Sequence, residues 1–420
     1  MNSKLTRREL FAMTGTMVAG ATALSAFQAP GGANRKLYAF AGAWTQGPFG
    51  TGGGGGITVF TVNTSDGSLT KVGRTATEFD NLNVGNLCIS PDGRFLYCTH
   101  EAPTTDNKPG TGGAVHSFSI NAANGALTHM NAVPSMGVNP CFMIIDKTGK
   151  RVLVANHGIF NKAVQVTKRN GVPVIETPTD DGTVAMFAVK PDGSLETACD
   201  VGVFERRPLS EPGAGASAHS VNFDNTGRWV IACDVGSDHI YVYPFDATSR
   251  SLGTAKVFAT PAGRAPRHSA IHPRLPYFFI TNERESIVSS FHFDSKTGDV
   301  QPIHTAPTIP ADFKEKNALA DMRIHPNGNF IYASNRGHDS LAIFRVEDST
   351  GKMIPVEITS TQGGNPREFD FDPSGRFLYV GNQTTNQMVT FAVDTNTGKL
   401  TPTGAKAEIL KPSCIKFVTL

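Results

Sequence analysis

After its first thirty residues the sequence has no apolar run near the ~20 residues that a membrane-spanning helix needs. Neither sign of charge dominates. Thirty-eight Lys and Arg stand against 36 Asp and Glu, a formal +2, which argues against the basic face of a nucleic-acid binder. The six cysteines (Cys88, Cys98, Cys141, Cys199, Cys233, Cys414) form no CxxC pair and show no zinc-type spacing. All six sit in apolar, strand-like runs and read as buried free thiols. A GxSxG nucleophile elbow, a P-loop and a dinucleotide-binding fingerprint are absent, and the glycine run Gly52–Gly56 lacks the Lys-Ser/Thr of a phosphate cradle.

What is abundant is turn chemistry. Forty-three glycines and 26 prolines favour many short strands over long helices. A 39% hydrophobic, 18% charged composition is that of a globular protein. At 420 residues the chain is too long for one ordinary core, so it holds several domains or one repeat-built fold. Residues 1–29 stand apart. Lys4, Arg7 and Arg8 precede an apolar stretch from Leu10 to Phe27, with small residues at Ala21, Ala23, Ala26 and Ala29. That is a signal-peptide layout, and Thr6-Arg7-Arg8-Glu9-Leu10-Phe11 is similar to the twin-arginine export motif. The expectation is a periplasmic or secreted protein that has no membrane association once the signal is removed.

Internal repeats decide the architecture. A β-rich phrase with an Asp/Asn-Gly turn recurs seven times, beginning near Gly55, Gly113, Gly182, Asp238, Ser286, Asp339 and Asn386. A second, hairpin-like phrase interleaves with it, from Asn86, Cys141, His219, His268, Asp321 and Glu368. Only six complete copies exist. The seventh is split: residues 412–418 supply its first strand and residues 35–41 its second. The reading is an all-β, seven-bladed β-propeller over residues 35–418, its last blade closed by the N- and C-terminal strands so that no sheet edge stays open. Residues 159–181 and 201–215 read as loop insertions, and Pro307–Ala320 as a piece able to form a short helical turn.

In a blade, the start of the first strand and the end of the second lie on one face. Those positions carry Glu101, Asn156, His157, His219, Asp234, Arg267, His268, Glu283, Asp321, Arg336 and Arg367. The other face receives generic turns such as Pro91-Asp92-Gly93, together with His272 and His325, which read as structural. Asp and Asn at strand ends also cap their own turns, and that reading stays open for Asp234 and Asn156. His268 has the alternative of simply packing its strand. Three arginines converging on one mouth point to an anion site for carboxylate or phosphate.

These residues resemble a family. Ala218-His219-Ser220-Val221, Pro266-Arg267-His268, Thr281-Asn282-Glu283, the segment Ala333 to Ser340 and Asn365-Pro366-Arg367 are similar to the seven-bladed propeller lactonases, which include bacterial 6-phosphogluconolactonase and the fungal carboxymuconate-lactonizing enzyme. The resemblance implies His219, Glu283, Arg267 and Arg336 as the catalytic set, and no cofactor. Ser217 stands where family members commonly carry a further histidine. On this reading His219 moves a proton, Glu283 orients it or acts as the base, and Arg267 and Arg336 hold the substrate anion and the oxyanion. Arg367, Glu101, Asn156, His157, Asp234, His268 and Asp321 are the substrate-binding candidates. The expected partner is a small anionic lactone or carboxylate, handled by a monomer. The reverse chemistry, lactonization of a carboxymuconate-like diacid, uses the same groups. Two rivals are a divalent cation held by Glu101, Asp234, Glu283 and Asn156, disfavoured by the nearby arginines, and a non-catalytic ligand-binding propeller.

Overall fold

The computed structural model describes residues 35–45, 55–103, 112–158, 165–176, 182–204 and 215–420. The export signal read at residues 1–29 lies outside them. Seven four-stranded antiparallel sheets account for nearly all regular structure. Their innermost strands are Val84–Ile89, Pro140–Ile145, Ala218–Phe223, Pro266–Ile271, Ala318–Ile324, Pro366–Phe371 and Pro412–Thr419, which define blades 1 to 7. Each innermost strand neighbours the next, and the seventh neighbours the first, so the ring closes.

Closure is made as the split repeat requires. Leu37–Ala43 pairs antiparallel with Pro412–Thr419 on one side and with Gly56–Val62 on the other, through partners such as Phe40 with Lys416 and Phe40 with Val59. Every residue of Leu37–Ala43 is buried. The apolar core lies between blades: Phe40, Ile57, Val84, Leu87, Leu96 and Phe118 pack where blade 7 meets blade 1.

The hairpin turns on the lower face share one device. Asp224 accepts the amides of Thr226, Arg228 and Trp229; Asp146 does the same in blade 2, and Asp372 in blade 6 accepts those of Ser374 and Phe377. A left-handed glycine completes the turn, as Gly227 does at φ 67°. In blades 4 and 5 a histidine replaces the aspartate. His272 Nδ1 accepts the amides of Arg274 and Leu275, and His325 Nδ1 that of Asn327. Both histidines are structural, as the sequence indicates.

Three local expectations change. Pro307–Ala320 forms no helix: the strands Asp299–Pro307 and Ala318–Ile324 consume its ends and turns fill the rest. Within 159–181, Gln165–Arg169 and Val172–Glu176 pair as a hairpin. Val201–Val203 are no insertion, since they complete the outer strand Leu195–Val203. The six cysteines carry free thiols, five buried and Cys199 half-buried.

Candidate active site

A cavity of about 430 Å³ opens at the upper face, lined among others by Glu101, His157, His219, Arg267, Glu283, Arg336 and Arg367. All four residues of the expected catalytic set meet there, on blades 3, 4 and 5. Its walls arise from a backbone irregularity repeated around the ring. The pairing of innermost strand with second strand shifts register at Ala218/Ser220, Pro266/Ser269, Leu319/Met322 and Pro366/Glu368. His219, Arg267, Asp321 and Arg367 sit inside those bulges. A bulge breaks the two-residue alternation and re-aims the side chain it carries. Hydroxyls from the second strand receive amides of the bulged segments: Thr281 Oγ1 that of His268, and Ser334 Oγ that of Asp321.

Two acid–arginine clusters organise the wall. Glu283 is gripped by Arg336 Nη2 at 2.7 Å and faces Arg267 Nε at 3.1 Å. Arg336 also donates to the carbonyls of Ala318 and Leu319, which fixes the guanidinium plane. Opposite, Glu101 accepts from Arg367 Nη2 at 3.1 Å and from Trp44 Nε1 at 3.0 Å, while the Arg367 guanidinium lies 4.1 Å over the Trp44 ring. Glu101 can turn inward because residue 85 is glycine: a Cβ there would lie 2.4 Å from Glu101 Oε2.

Burial sets the charge states. It would raise the Glu283 carboxyl, but Arg336 and Arg267 outweigh it and hold Glu283 below its ordinary value. Glu283 is therefore an anion committed to its arginines. Burial raises Glu101 even against Arg367. Arg267, 1% exposed, is lowered to about 10 by burial and the neighbouring Arg336 and stays cationic at neutral pH. Its Nη1 has no hydrogen-bond partner among the described residues. Buried guanidinium donors are seldom left unpaired, so Arg267 has capacity for a ligand oxygen.

His219 stands at the centre of a row of imidazoles. The ring of His157 lies 5.3 Å away and that of His268 5.2 Å away, both edge to face. Its Nδ1 contacts Cys141 Sγ at 3.6 Å. Burial, Arg267 and His268 push His219 well below the ordinary histidine value, which makes it a neutral imidazole with a proton-accepting nitrogen.

Four sequence candidates do not line the cavity. Asp234 is used by its own loop, accepting from the amides of Ser217, Gly236 and Ser237 and from the Ser237 hydroxyl. Asn156 donates to the Ser135 carbonyl and Thr183 Oγ1. His268 and Asp321 form a buried pair, Nδ1 to Oδ1 at 2.8 Å, away from the cavity wall. Trp44 was not singled out in the sequence, although it directly follows Ala43, the last residue of the closing strand, in the position that carries Glu101 and His157 in other blades.

The profile of the family described as "Lactonase, 7-bladed beta-propeller" matches residues 38–417. The chain belongs to that family. Among curated lactonases it is 28% identical to the 6-phosphogluconolactonase of Bacillus subtilis, over 80% of this chain and 85% of that one. The 6-phosphogluconolactonase of Formosa agariphila is 30% identical, over 79% and 86%. Among solved structures, the periplasmic gluconolactonase of Pseudomonas aeruginosa superposes with a TM-score of 0.76 at 28% identity, covering 91% of this chain and 99% of that one.

Proposed function

We propose that this propeller lactonase opens the ring of a sugar lactone or related anionic lactone by water attack. The observation that carries the reading is the convergence of His219, Arg267, Glu283 and Arg336 on one cavity in a chain whose relatives are named lactonases. Water adds to the lactone carbonyl while His219 takes its proton. The carbonyl oxygen becomes an oxyanion beside the arginines, where donors already in place are typically worth a few kcal/mol of barrier. Collapse breaks the ring carbon–oxygen bond, and the His219 imidazolium returns the proton to the leaving alkoxide. Glu283, paired with Arg336 and Arg267, holds the arginines in place.

The decisive experiment is a panel of phosphorylated, carboxylated and uncharged sugar lactones, plus muconate lactones, followed with a pH indicator. Hydrolysis of none of them above the uncatalysed rate would overturn the reading. On a lactone that is hydrolysed, Arg267→Ala is expected to lower kcat/KM about 10- to 100-fold, the equivalent of one charged hydrogen bond of roughly 1.5–3 kcal/mol. The loss should fall largely on KM for anionic substrates.

Export fits the same reading. The periplasmic location of the Pseudomonas relative and the Arg7-Arg8 motif together support a twin-arginine substrate that works outside the cytoplasm. Replacing both arginines with lysine is expected to hold the protein in the cytoplasm; fractionation that finds normal export and processing assigns it to another route.

A further inference from the structure

Beneath the cavity the buried Asp321–His268 pair remains unused by the reaction just described. Asp321 is fully buried and its oxygens are committed: Oδ1 meets His268 Nδ1 at 2.8 Å and Arg323 Nη1 at 3.1 Å, and Oδ2 accepts the Phe369 amide at 3.2 Å. Burial would raise this carboxyl, but Arg323 and His268 outweigh it and hold it below the ordinary carboxylate range, so it is ionised. A carboxylate only accepts hydrogen bonds, so His268 must present Nδ1–H to it. Burial and the adjacent Arg267 lower His268 to about 3, leaving a neutral ring with a single proton. That proton is on Nδ1. Nε2 is then a bare lone pair, buried and without a partner among the described residues.

An unpaired buried acceptor costs about 1–3 kcal/mol, and such groups call for an explanation. The rings packed on His268 are Phe142, at 4.9 Å, and His219, at 5.2 Å. Phe142 has no polar hydrogen to give. His219 does: its neutral ring carries one N–H, and its imidazolium carries two. Its imidazolium otherwise meets an unfavourable setting: burial, Arg267 on blade 4, Arg367 on blade 6, and the His157 ring on blade 2 all oppose it, as does a protonated His268. Cys141 on blade 2 stays a neutral thiol. The layer holding Asp321 presents a carboxylate to His268 instead. Around Arg323, Asp321 is joined by Glu368 at 3.6 Å and Asp370 at 3.7 Å, with Lys416 on Asp370 as the second cation. Burial and Asp321 raise the Glu368 carboxyl, so Arg323 and Lys416 stand against Asp321 and Asp370, and the charge that reaches the His268 ring is the Asp321 carboxylate itself.

We propose that His268, fixed by Asp321, is a positioning residue for His219: its lone-pair edge, backed by the Asp321 carboxylate, orients the His219 ring and stabilises the imidazolium formed at turnover. This rests on the reading of His219 as the group that moves the proton. Hydrogen bonds of this kind are often long in an empty site and tighten only with substrate bound.

The first test uses the wild-type chain with 15N-labelled histidines. The His268 ring, assigned through loss of its signals in His268→Gln, should remain a neutral Nδ1–H tautomer between pH 5 and 8. An Nε2–H tautomer overturns the proposal without requiring any variant to be active. The second test measures Asp321→Asn and His268→Gln on a lactone that the wild type hydrolyses. Both should lower kcat about 10- to 100-fold, the range for outer partners of a catalytic group, with KM nearly unchanged. In Asp321→Asn the acid limb of the kcat–pH profile should move to lower pH, because a less stabilised imidazolium has a lower pKa. A purely structural role changes the folded fraction but not the limb. Unchanged kcat in a folded variant, or a raised KM at full kcat, overturns the proposal. If His219→Ala is inactive while both variants match wild type, only this inference fails; a fully active His219→Ala removes the reading beneath it.

Discussion

Replacing His219 with alanine is expected to lower turnover on a hydrolysed lactone by roughly 10²–10⁴-fold, the usual worth of a positioned acid–base group, with little change in KM. The split follows from the division of labour in the cavity. His219 adds no net charge to the cavity, since burial and Arg267 keep it neutral, so its removal takes away little ground-state attraction for an anion. What disappears is the proton acceptor in the transition state. The same lowered pKa gives the pH dependence: the base form persists below the ordinary histidine value of ~6.5, so kcat should not fall as pH drops through 6.5. His272→Ala is the control. That imidazole receives two turn amides in a lower-face hairpin, and its loss should cost stability while kcat and KM of the folded fraction stay put. A His219→Ala protein with full activity would refute the assignment.

The architecture was legible because it is periodic. Seven copies of one phrase and a split seventh hairpin leave little freedom, and the pairing of Leu37–Ala43 with Pro412–Thr419 follows from the count of half-repeats. The cavity residues were legible for the same reason: strand ends in successive repeats must share a face. Depth was not. Arg267 and His268 are neighbours within one bulge, and nothing in the local sequence says that Arg267 lines the cavity while His268 is buried against Asp321. Asp234 and Asn156 were ambiguous for a different reason. The carboxylate or amide that can bind a ligand is equally suited to loop amides and carbonyls, and nothing in the local sequence says which will be nearer. Trp44 was hidden by the split itself, because its blade exists only once the two ends of the chain have met.

That meeting should be the most costly feature to remove. Deletion of residues 30–44 is expected to abolish soluble, cooperatively folding protein. The reason is where the strand lies, since Leu37–Ala43 is the second strand of its blade and is bonded on both edges. Without it, Pro412–Thr419 loses the partner on its outer edge, and Gly56–Val62 with Leu69–Arg74 is left as a two-stranded hairpin, marginal in water at best. Phe40 would also vanish from the packing between blades 7 and 1, and Phe-to-Ala truncations in cores alone cost about 3–5 kcal/mol, a large part of a typical domain's net stability of ~5–15 kcal/mol. Phe40→Ala therefore serves as the graded version, destabilised but foldable, and the deletion as the limit. Soluble yield and the unfolding midpoint read both. A deletion variant that melts at the wild-type temperature would mean that the ring is held by its blade-to-blade cores and needs no closing strand.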